Sequence, residues 1–480
     1  MITSERMAAI DRNAAALGVP RKQLMESSGN AVASAVRRVA GAGASVTVVA
    51  GRGNNGGDGF VAARFLDDHD VTVHLLGRPE TIRTEIAREN WNALQTAEYD
   101  TRTVTDSADL DLSGPDVIVD AMLGTGVTGA LREPEATAAA EINRADAPVV
   151  SVDVPSGVDA DSGEAADLAV DADQVVTFHD RTSGLDAIDA EVTVADIGIP
   201  AAAERFVGPG DLFGLDRAPD SHKGDAGEVL VVGGGPYTGA PALAGQAALR
   251  AGADLVRIAC PTVVADTVQG YSESLILRPY DGERFAPDHV DEVLETAARH
   301  DTVVIGPGLG RHDETRSAVR KFLTRYDGTA VVDADALAVV PEVDTDATLL
   351  CTPHQGELRG MGGETATDWR TRTELVAEFA AELGHLLLVK GPYDVVSDGD
   401  ETRVNRTGNP GMTVGGTGDV LAGATGALAC VLPPLHAASV AAYATGRAGD
   451  AAAETAGDGL VATDLPDRLP AALRDPEGGE

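Results

Sequence analysis

The densest run of residues able to do chemistry is Asn409-Pro410-Gly411-Met412-Thr413-Val414-Gly415-Gly416-Thr417-Gly418-Asp419. It opens as a Pro/Gly turn and runs into Val420-Leu421-Ala422, so its glycines fall where a loop enters a helix. Unpaired N–H groups and the positive end of the helix dipole meet there and favour an anion. Gly415, Gly416 and Gly418 would let backbone approach a phosphate with no Cβ in the way. Asp419 follows in the first turn of the expected helix. An acid beside a phosphate repels it, and its useful role is to take a proton from an attacking hydroxyl in phosphoryl transfer. A glycine-rich turn capped by an Asp is the plain structural alternative.

Four further motifs are expected around that stretch. His222-Lys223-Gly224-Asp225 precedes a strand, while Gly306-Pro307-Gly308-Leu309-Gly310, Thr352-Pro353-His354-Gln355-Gly356-Glu357 and Lys390-Gly391 each follow one. Glycines allow close ligand approach, and Lys390 can neutralise phosphate. His354 can hydrogen-bond a ligand, although a lone His is more often structural.

The first half carries its own set. Gly51-Arg52-Gly53-Asn54-Asn55-Gly56 fits the GxGxxG pattern between a strand and a helix expected from Phe60, which is a weak dinucleotide signal alone. The paired amides of Asn54 and Asn55, with Asp58 after Gly56 and Gly57, read better as polar ligands for a head group or an ion. Val117–Asp120 runs into Gly124-Thr125-Gly126-Val127-Thr128-Gly129, and Val149–Asp153 runs into Pro155-Ser156-Gly157. Ligands of an open parallel sheet bind outside the carboxyl ends of its strands, so these three ends converge on one site. Their donors are all oxygens, which suits a hard cation rather than zinc.

The elements that must position these groups are legible in outline. Strand patterns occur at residues 45–50, 71–75, 117–121, 149–154 and 175–178, with helical segments at 3–19 and 31–40. A second series follows at 229–232, 255–259, 274–277, 302–305, 330–332, 348–350 and 386–389, with a helix at 241–251. Alternation of strand and helix predicts two α/β domains, the first a doubly wound parallel sheet. The Gly/Pro/Asp-rich segment from Val207 to Asp225 marks the boundary, giving domains 1–210 and 211–480. The tail from Arg474 to Glu480 reads as frayed.

Composition sets the outer limits. The 480-residue chain has a formal charge of −39 and only four lysines, Lys22, Lys223, Lys321 and Lys390. That field excludes nucleic acid and anionic membrane as partners. It matches a surface kept soluble in high salt, a halophilic protein. Cys260, Cys351 and Cys430 are isolated and lack zinc spacing, which points to a reducing cytoplasm without disulfides. No signal-like or membrane-spanning run is read in the chain.

Taken together, the motifs resemble the bifunctional NAD(P)H-hydrate repair enzymes across nearly the whole chain. NNGGDG (Asn54–Gly59), DAMLGTG (Asp120–Gly126) and VDVPSGVD (Val152–Asp159) look like the epimerase motifs. HKGDAG (His222–Gly227), GPGLG (Gly306–Gly310), TPHQGE (Thr352–Glu357) and NPGMTVGGTGD (Asn409–Asp419) look like those of the dehydratase. The resemblance implies a Rossmann-like epimerase domain followed by a ribokinase-like dehydratase domain dependent on ADP, with ATP as the other donor. The first would interconvert the two epimers of NADH or NADPH hydrated at C6. Its substrate contacts would be Asn54–Asp58, Gly124–Ala130 (Gly124, Thr125, Gly126, Val127, Thr128, Gly129, Ala130) and Asp153, the last also its acid/base. Asn55, Asp120 and Ser156 match the family's potassium ligands. In the second domain Asp419 would deprotonate the C6 hydroxyl while Gly416–Gly418 hold the transferred phosphoryl group and Mg²⁺ bridges the nucleotide phosphates. Ala253, Gly308 and His354 would contact the hydrate; Lys390, Gly391, Pro392, Tyr393, Asp394 and Gly418 would contact the nucleotide. Many relatives carry Thr where this chain has Asp394, and an acid there weakens a phosphate contact. A homo-oligomer is expected. Two other readings stay open: a ribokinase-like small-molecule kinase with an accessory dinucleotide-binding domain, and a non-catalytic binding module.

Overall fold

The computed structural model describes residues 2–112, 114–126, 129–165, 167–215 and 217–474. The expectation for the terminal tail therefore falls, beyond Arg474, outside the described residues, as do those for Val127 and Thr128. The chain forms two compact units, Met1–Ala203 and Glu204–Glu480. The division comes seven residues before the expected one, because the segment after Ala203 belongs to the second sheet. Val207 donates its N–H to Val404 O (3.0 Å), and Arg403 donates to Glu204 O (2.9 Å).

The first unit is built on seven strands: β1 (Ser45–Ala50), β2 (Asp70–Leu76), β3 (Asp100–Val104), β4 (Val117–Ala121), β5 (Val149–Val152), β6 (Gln174–Phe178) and β7 (Glu191–Ala195). Their order is β3-β2-β1-β4-β5-β6-β7, all neighbours parallel. The order reverses between β1 and β4, where a crevice opens at the carboxyl ends. Val- and Ile-rich inner strands are buried on both faces, as a parallel sheet covered by helices requires. The outer strands β3 and β7 escaped sequence reading because, at the edges, their residues are mostly exposed and carry no apolar run.

The second unit contains β8 (Glu228–Val232), β9 (Leu255–Pro261), β10 (Ile276–Tyr280), β11 (Thr302–Ile305), β12 (Thr329–Val332), β13 (Thr348–Cys351), β14 (Leu386–Val389), β15 (Asp394–Ser397) and β16 (Thr402–Asn405). The order is β10-β9-β8-β11-β12-β13-β14-β15-β16, with β15 antiparallel to both its neighbours. This hairpin was not expected. Its four-residue strands are too short for a clear alternation, and the turn Asp398-Gly399-Asp400 hides them. Two apolar layers cover the sheet: one holds the Ala-rich helices Gly239–Arg250, Thr417–Leu428 and Pro434–Ala456, the other the helices from Val290 to Leu383.

Two helices run longer than their sequence suggests. Arg21–Val39 begins ten residues before the expected Ala31, and Asn54–Phe65 begins six before Phe60. Asn and Gly are poor helix formers, so the period was invisible there. Packing decides instead: a Cβ on Gly56 would lie 2.0 Å from Gly51 O, so only glycine lets this helix start so close to β1. No helix among the described residues is long and apolar enough to cross a membrane.

Candidate functional site

In the first unit, three strand exits bring the expected groups together. Asp120 ends β4 with its carboxylate fully buried. Ser156 donates from Oγ to Asp120 Oδ1 (2.6 Å) and from N to Oδ2 (2.9 Å), and Ser151 Oγ donates to Oδ2 (2.9 Å). Burial pushes the Asp120 carboxyl up, and these neutral donors pull it back. All of those bonding partners are neutral. Asn55 turns its amide nitrogen to Leu123 O (3.0 Å), which directs its amide oxygen away from that carbonyl. Asn55, Asp120 and Ser156 thus offer oxygen donors whose chemistry fits a hard cation.

Asp153 follows β5 in the left-handed region (φ 68°), a strained backbone for a non-glycine residue. The bend directs its carboxylate to Thr125 N (3.3 Å) and Thr177 Oγ1 (3.4 Å). Gly124 separates Asp153 from Asn55. A Cβ on Gly124 would stand 3.1 Å from Asp153 Oδ2 and 3.3 Å from Asn55 Oδ1. Asp58, on the second turn of its helix, is nearly buried, and burial, then Asp153 and Asp11, hold its carboxyl well above the usual range. Burial raises Asp153 as well. Asp11 joins this group from the helix Ser4–Ala16, its carboxyl pushed up to about 6 by burial against the pull of Arg21. Sequence reading missed Asp11, because one acid in an amphipathic helix carries no motif. Its signal was the apolar face of Ile10 and Ala14, which packs on Ile197 and Ile199 and lays the helix against the segment leaving β7. Asn54, Gly126, Gly129 and Ala130 are exposed around this centre, whereas Gly56 and Gly57 are buried beneath it.

In the second unit the carboxyl ends of β11, β12, β13 and β14 share one edge with the Asn409–Asp419 stretch. Gly416 caps the helix Thr417–Leu428 in the left-handed region (φ 101°), and Asp419 lies in its first turn. Lys390 Nζ sits 2.9 Å from Asp333 Oδ1, 3.9 Å from Glu357 Oε2, and 3.2 Å from where a Gly418 Cβ would be. Burial pulls the Lys390 ammonium down, but Asp333 and Glu357 together outweigh it and raise it. Burial, with Asp333 and Glu357 against Lys390, pushes the Asp419 carboxyl up to about 7. Asp333 was not among the expected site residues. It closes β12 as other site acids close their strands, and Thr352 Oγ1 fixes it at 2.7 Å.

His354 caps the helix Gln355–Met361, its Nδ1 accepting from Gly356 N (2.9 Å) and Glu357 N (3.0 Å). Its Nε2 lies 3.5 Å from Glu357 Oε1. Gly308 lies beyond β11 with φ 71°, a Cβ there falling 2.7 Å from Tyr237 O. Gly391 and Pro392 are exposed at the turn after Lys390, and Tyr393 stacks on Trp369 (ring centres 5.2 Å apart, 15° between planes). Asp394 faces inward, accepting from Gly391 N and Asn405 Nδ2, both at 2.9 Å.

The topology places two groups at the amino edge of the second sheet. Ala253 precedes β9 and is buried in the core, at the amino edge of the sheet, opposite Asp419. The His222–Asp225 motif lies at that same edge before β8, where Asp254 accepts from Gly224 N (2.8 Å) and Ala226 N (3.0 Å). Parallel strands put everything preceding them at one edge and everything following them at the other.

The two units define a class: a two-domain α/β enzyme with an oxygen-lined acid site in one half and a phosphoryl-transfer edge in the other. Residues 229–471 match the family model described as NAD(P)H-hydrate dehydratase, and residues 21–184 match that of the YjeF-related protein N-terminus. The chain is 46% identical over 492 residues to the bifunctional NAD(P)H-hydrate repair enzyme Nnr of Pyrobaculum aerophilum, covering 98% of each chain. It is 43% identical over 477 residues to that of Archaeoglobus fulgidus, again covering 98% of each. A ribokinase-like superfamily protein from Enterococcus faecalis shares the fold of the second unit (TM-score 0.50, 21% identity, covering 56% of this chain and 95% of that one). The chain belongs to the family of bifunctional NAD(P)H-hydrate repair enzymes.

Proposed function

We infer that this protein repairs hydrated NADH and NADPH in two steps. The first unit interconverts the epimers at C6, and the second uses a nucleotide to dehydrate one of them. The observation that carries the reading is Asp419 beside Lys390 at a glycine-capped helix start, with a second acid centre around Asp153 in the other unit.

In the dehydratase half, Asp419 takes the proton from the C6 hydroxyl as that oxygen attacks the terminal phosphorus of the nucleotide. Its carboxyl, raised to about 7, is basic enough to accept the proton and is ionised in a large fraction near neutrality. N–H groups of Gly416–Gly418 hold the transferred phosphoryl group, and Lys390 neutralises it. Elimination of phosphate from C6, with a hydrogen from C5, restores the dihydronicotinamide. Asp333 and Glu357 would hold Mg²⁺, and the ion would supply charge neutralisation for the nucleotide phosphates. Three carboxylates around one lysine leave the room in charge for it. His354 Nε2 and Gly308 face the hydrate at the same edge. ADP is the donor we favour, with ATP the alternative.

In the epimerase half, Asp153 serves as acid/base at C6. Asn54–Asp58 and Gly124–Ala130 frame the substrate. Asn55, Asp120 and Ser156 would hold K⁺, which supplies a fixed positive charge to balance Asp120. The acidic surface is that of a halophilic cytoplasmic protein acting on small molecules.

The test is recovery of dihydronicotinamide absorbance when the protein meets a mixture of both NADH-hydrate epimers with Mg²⁺, K⁺ and ADP or ATP. Recovery beyond the share of one epimer requires both activities, and comparing nucleotides names the donor. No recovery with either nucleotide, at low or molar salt, would defeat the reading.

A further inference from the structure

Asp394 stands where the nucleotide is expected, yet its carboxylate is fully engaged within the fold. Oδ1 accepts the Gly391 N–H and Oδ2 accepts Asn405 Nδ2, each at 2.9 Å. Asp394 and Asn405 are register partners across the β15–β16 hairpin. Asn405 is itself buried. Its amide donates also to Ala442 O (3.1 Å), and its oxygen accepts the Thr407 N–H (3.1 Å). Next along the chain, Gly408 N and Asn409 Nδ2 are held by the Asp450 carboxylate, both at 3.0 Å. Polar contacts therefore tie the turn after Lys390 to Asn405 and Thr407, and the chain itself carries on from Thr407 to Gly408 and Asn409 at the entrance of the Asn409–Asp419 stretch. On the turn's other side, buried Arg372 donates to Tyr393 O (2.9 Å).

A phosphate ligand needs a donor or a cation facing the anion, and Asp394 offers neither. Burial pushes its carboxyl up to about 6, opposed by Asn405, Gly391, Lys390 and Arg372. Its hydrogen bonds go to the Gly391 N–H of the turn and to the buried Asn405.

We propose that Asp394 is a positioning residue for phosphoryl transfer, tying the Lys390 turn to the strand exit that feeds Gly416–Asp419. Lys390 and the glycine-capped helix start approach one phosphoryl group from two separate loops. A tie between those loops fixes their spacing, and small misplacements of reacting groups are costly. This rests on the nucleotide-dependent reading of the second unit.

The experiment uses the full chain and measures nucleotide KM and kcat for hydrate recovery, with epimerisation as the control for an intact protein. Asp394→Ala is expected to raise the nucleotide KM about tenfold or more, since a positioning contact is lost. Asp394→Asn keeps one acceptor oxygen, enough for the Gly391 N–H or the Asn405 amide but not both, so its KM is expected to fall between those of the parent and Asp394→Ala. Asn405→Ala, which cuts the next link, is expected to raise KM in the same direction. If Asp394 instead faced the phosphate, removing its charge would lower KM in both Asp394 variants. A lowered or unchanged KM in Asp394→Ala overturns the proposal. Should the alanine variant fail to fold, equal or lower KM in Asn405→Ala does the same. Absence of nucleotide-dependent recovery in the parent protein is a different result, and it overturns the underlying reading of the site.

Discussion

Lys390 Nζ and Asp333 Oδ1 lie 2.9 Å apart, joining the ends of β14 and β12 across the intervening β13. The pair is nearly enclosed, so each charge is held by the other and little by water. Asp419 faces this pair. Asp333 pushes its carboxyl up and Lys390 pulls it down, and with burial the balance sits near neutrality. The base is thereby tuned to the pH at which it must work.

Separate chemistry in separate units predicts separable mutants. Asp419→Asn is expected to cut nucleotide-dependent repair by about a hundredfold or more, the usual worth of a general base, and to leave epimerisation intact. Asp153→Ala is expected to do the reverse. Following each epimer by chromatography checks both at once, and loss of both activities in either variant would refute the division of labour.

The pH profile of dehydration follows from Asp419. The base acts ionised, so kcat should rise with pH up to about 7 and level off above it. Asp333→Asn removes the largest charge that raises Asp419, so the rising limb should move to lower pH. An unmoved limb would show that Asp419 is not the titrating group.

Gly124 separates the acid from the cation ligand in the first unit. Gly124→Ala would set a Cβ 3.1 Å from Asp153 Oδ2 and 3.3 Å from Asn55 Oδ1, tighter than ordinary contact. We expect epimerisation to fall and dehydration of the correct epimer to stay at parent level. An assay supplied with the pure substrate epimer of the dehydratase separates the two.

Asp58 is raised by burial and by its acid neighbours, so the folded protein keeps this proton at pH values where the unfolded chain has lost it. Stability contributed here is present below the unfolded value of 3.8 and is lost as pH rises above it. Asp58→Asn is therefore expected to melt higher than the parent at pH 8, with the gap closing toward pH 4. Thermal melts across that range measure it, and a constant gap would contradict the linkage.

A formal charge of −39 repels itself in dilute buffer. Counter-ions screen that repulsion, so Tm should climb with KCl from low to molar concentration. A Tm indifferent to molar salt would remove the case for a halophilic surface.

The strands that carry the sites were legible because parallel strands buried on both faces are continuous apolar runs. β1, β4, β11 and β14 stand where the Val, Ile and Leu runs place them. Seven motifs, with their order, named the family and both activities. Asp419 at a helix start followed from glycine chemistry and the apolar run behind it.

Tertiary structure alone decided what lies opposite what. Ala253, which the resemblance places against the hydrate, and the His222–Asp225 motif both precede their strands and so lie at the amino edge of the sheet. Asp11 and Asp333 reach the two centres through helix packing and strand order, neither of which a local pattern encodes. Asp394 shows the limit most sharply: the resemblance names it in the nucleotide loop, and only the β15–β16 register sets its carboxylate against Asn405 and Gly391. Residue type and spacing fix which chemistry a chain can do. The direction of each side chain depends on contacts between residues far apart in sequence, and those exist only once the sheet is assembled.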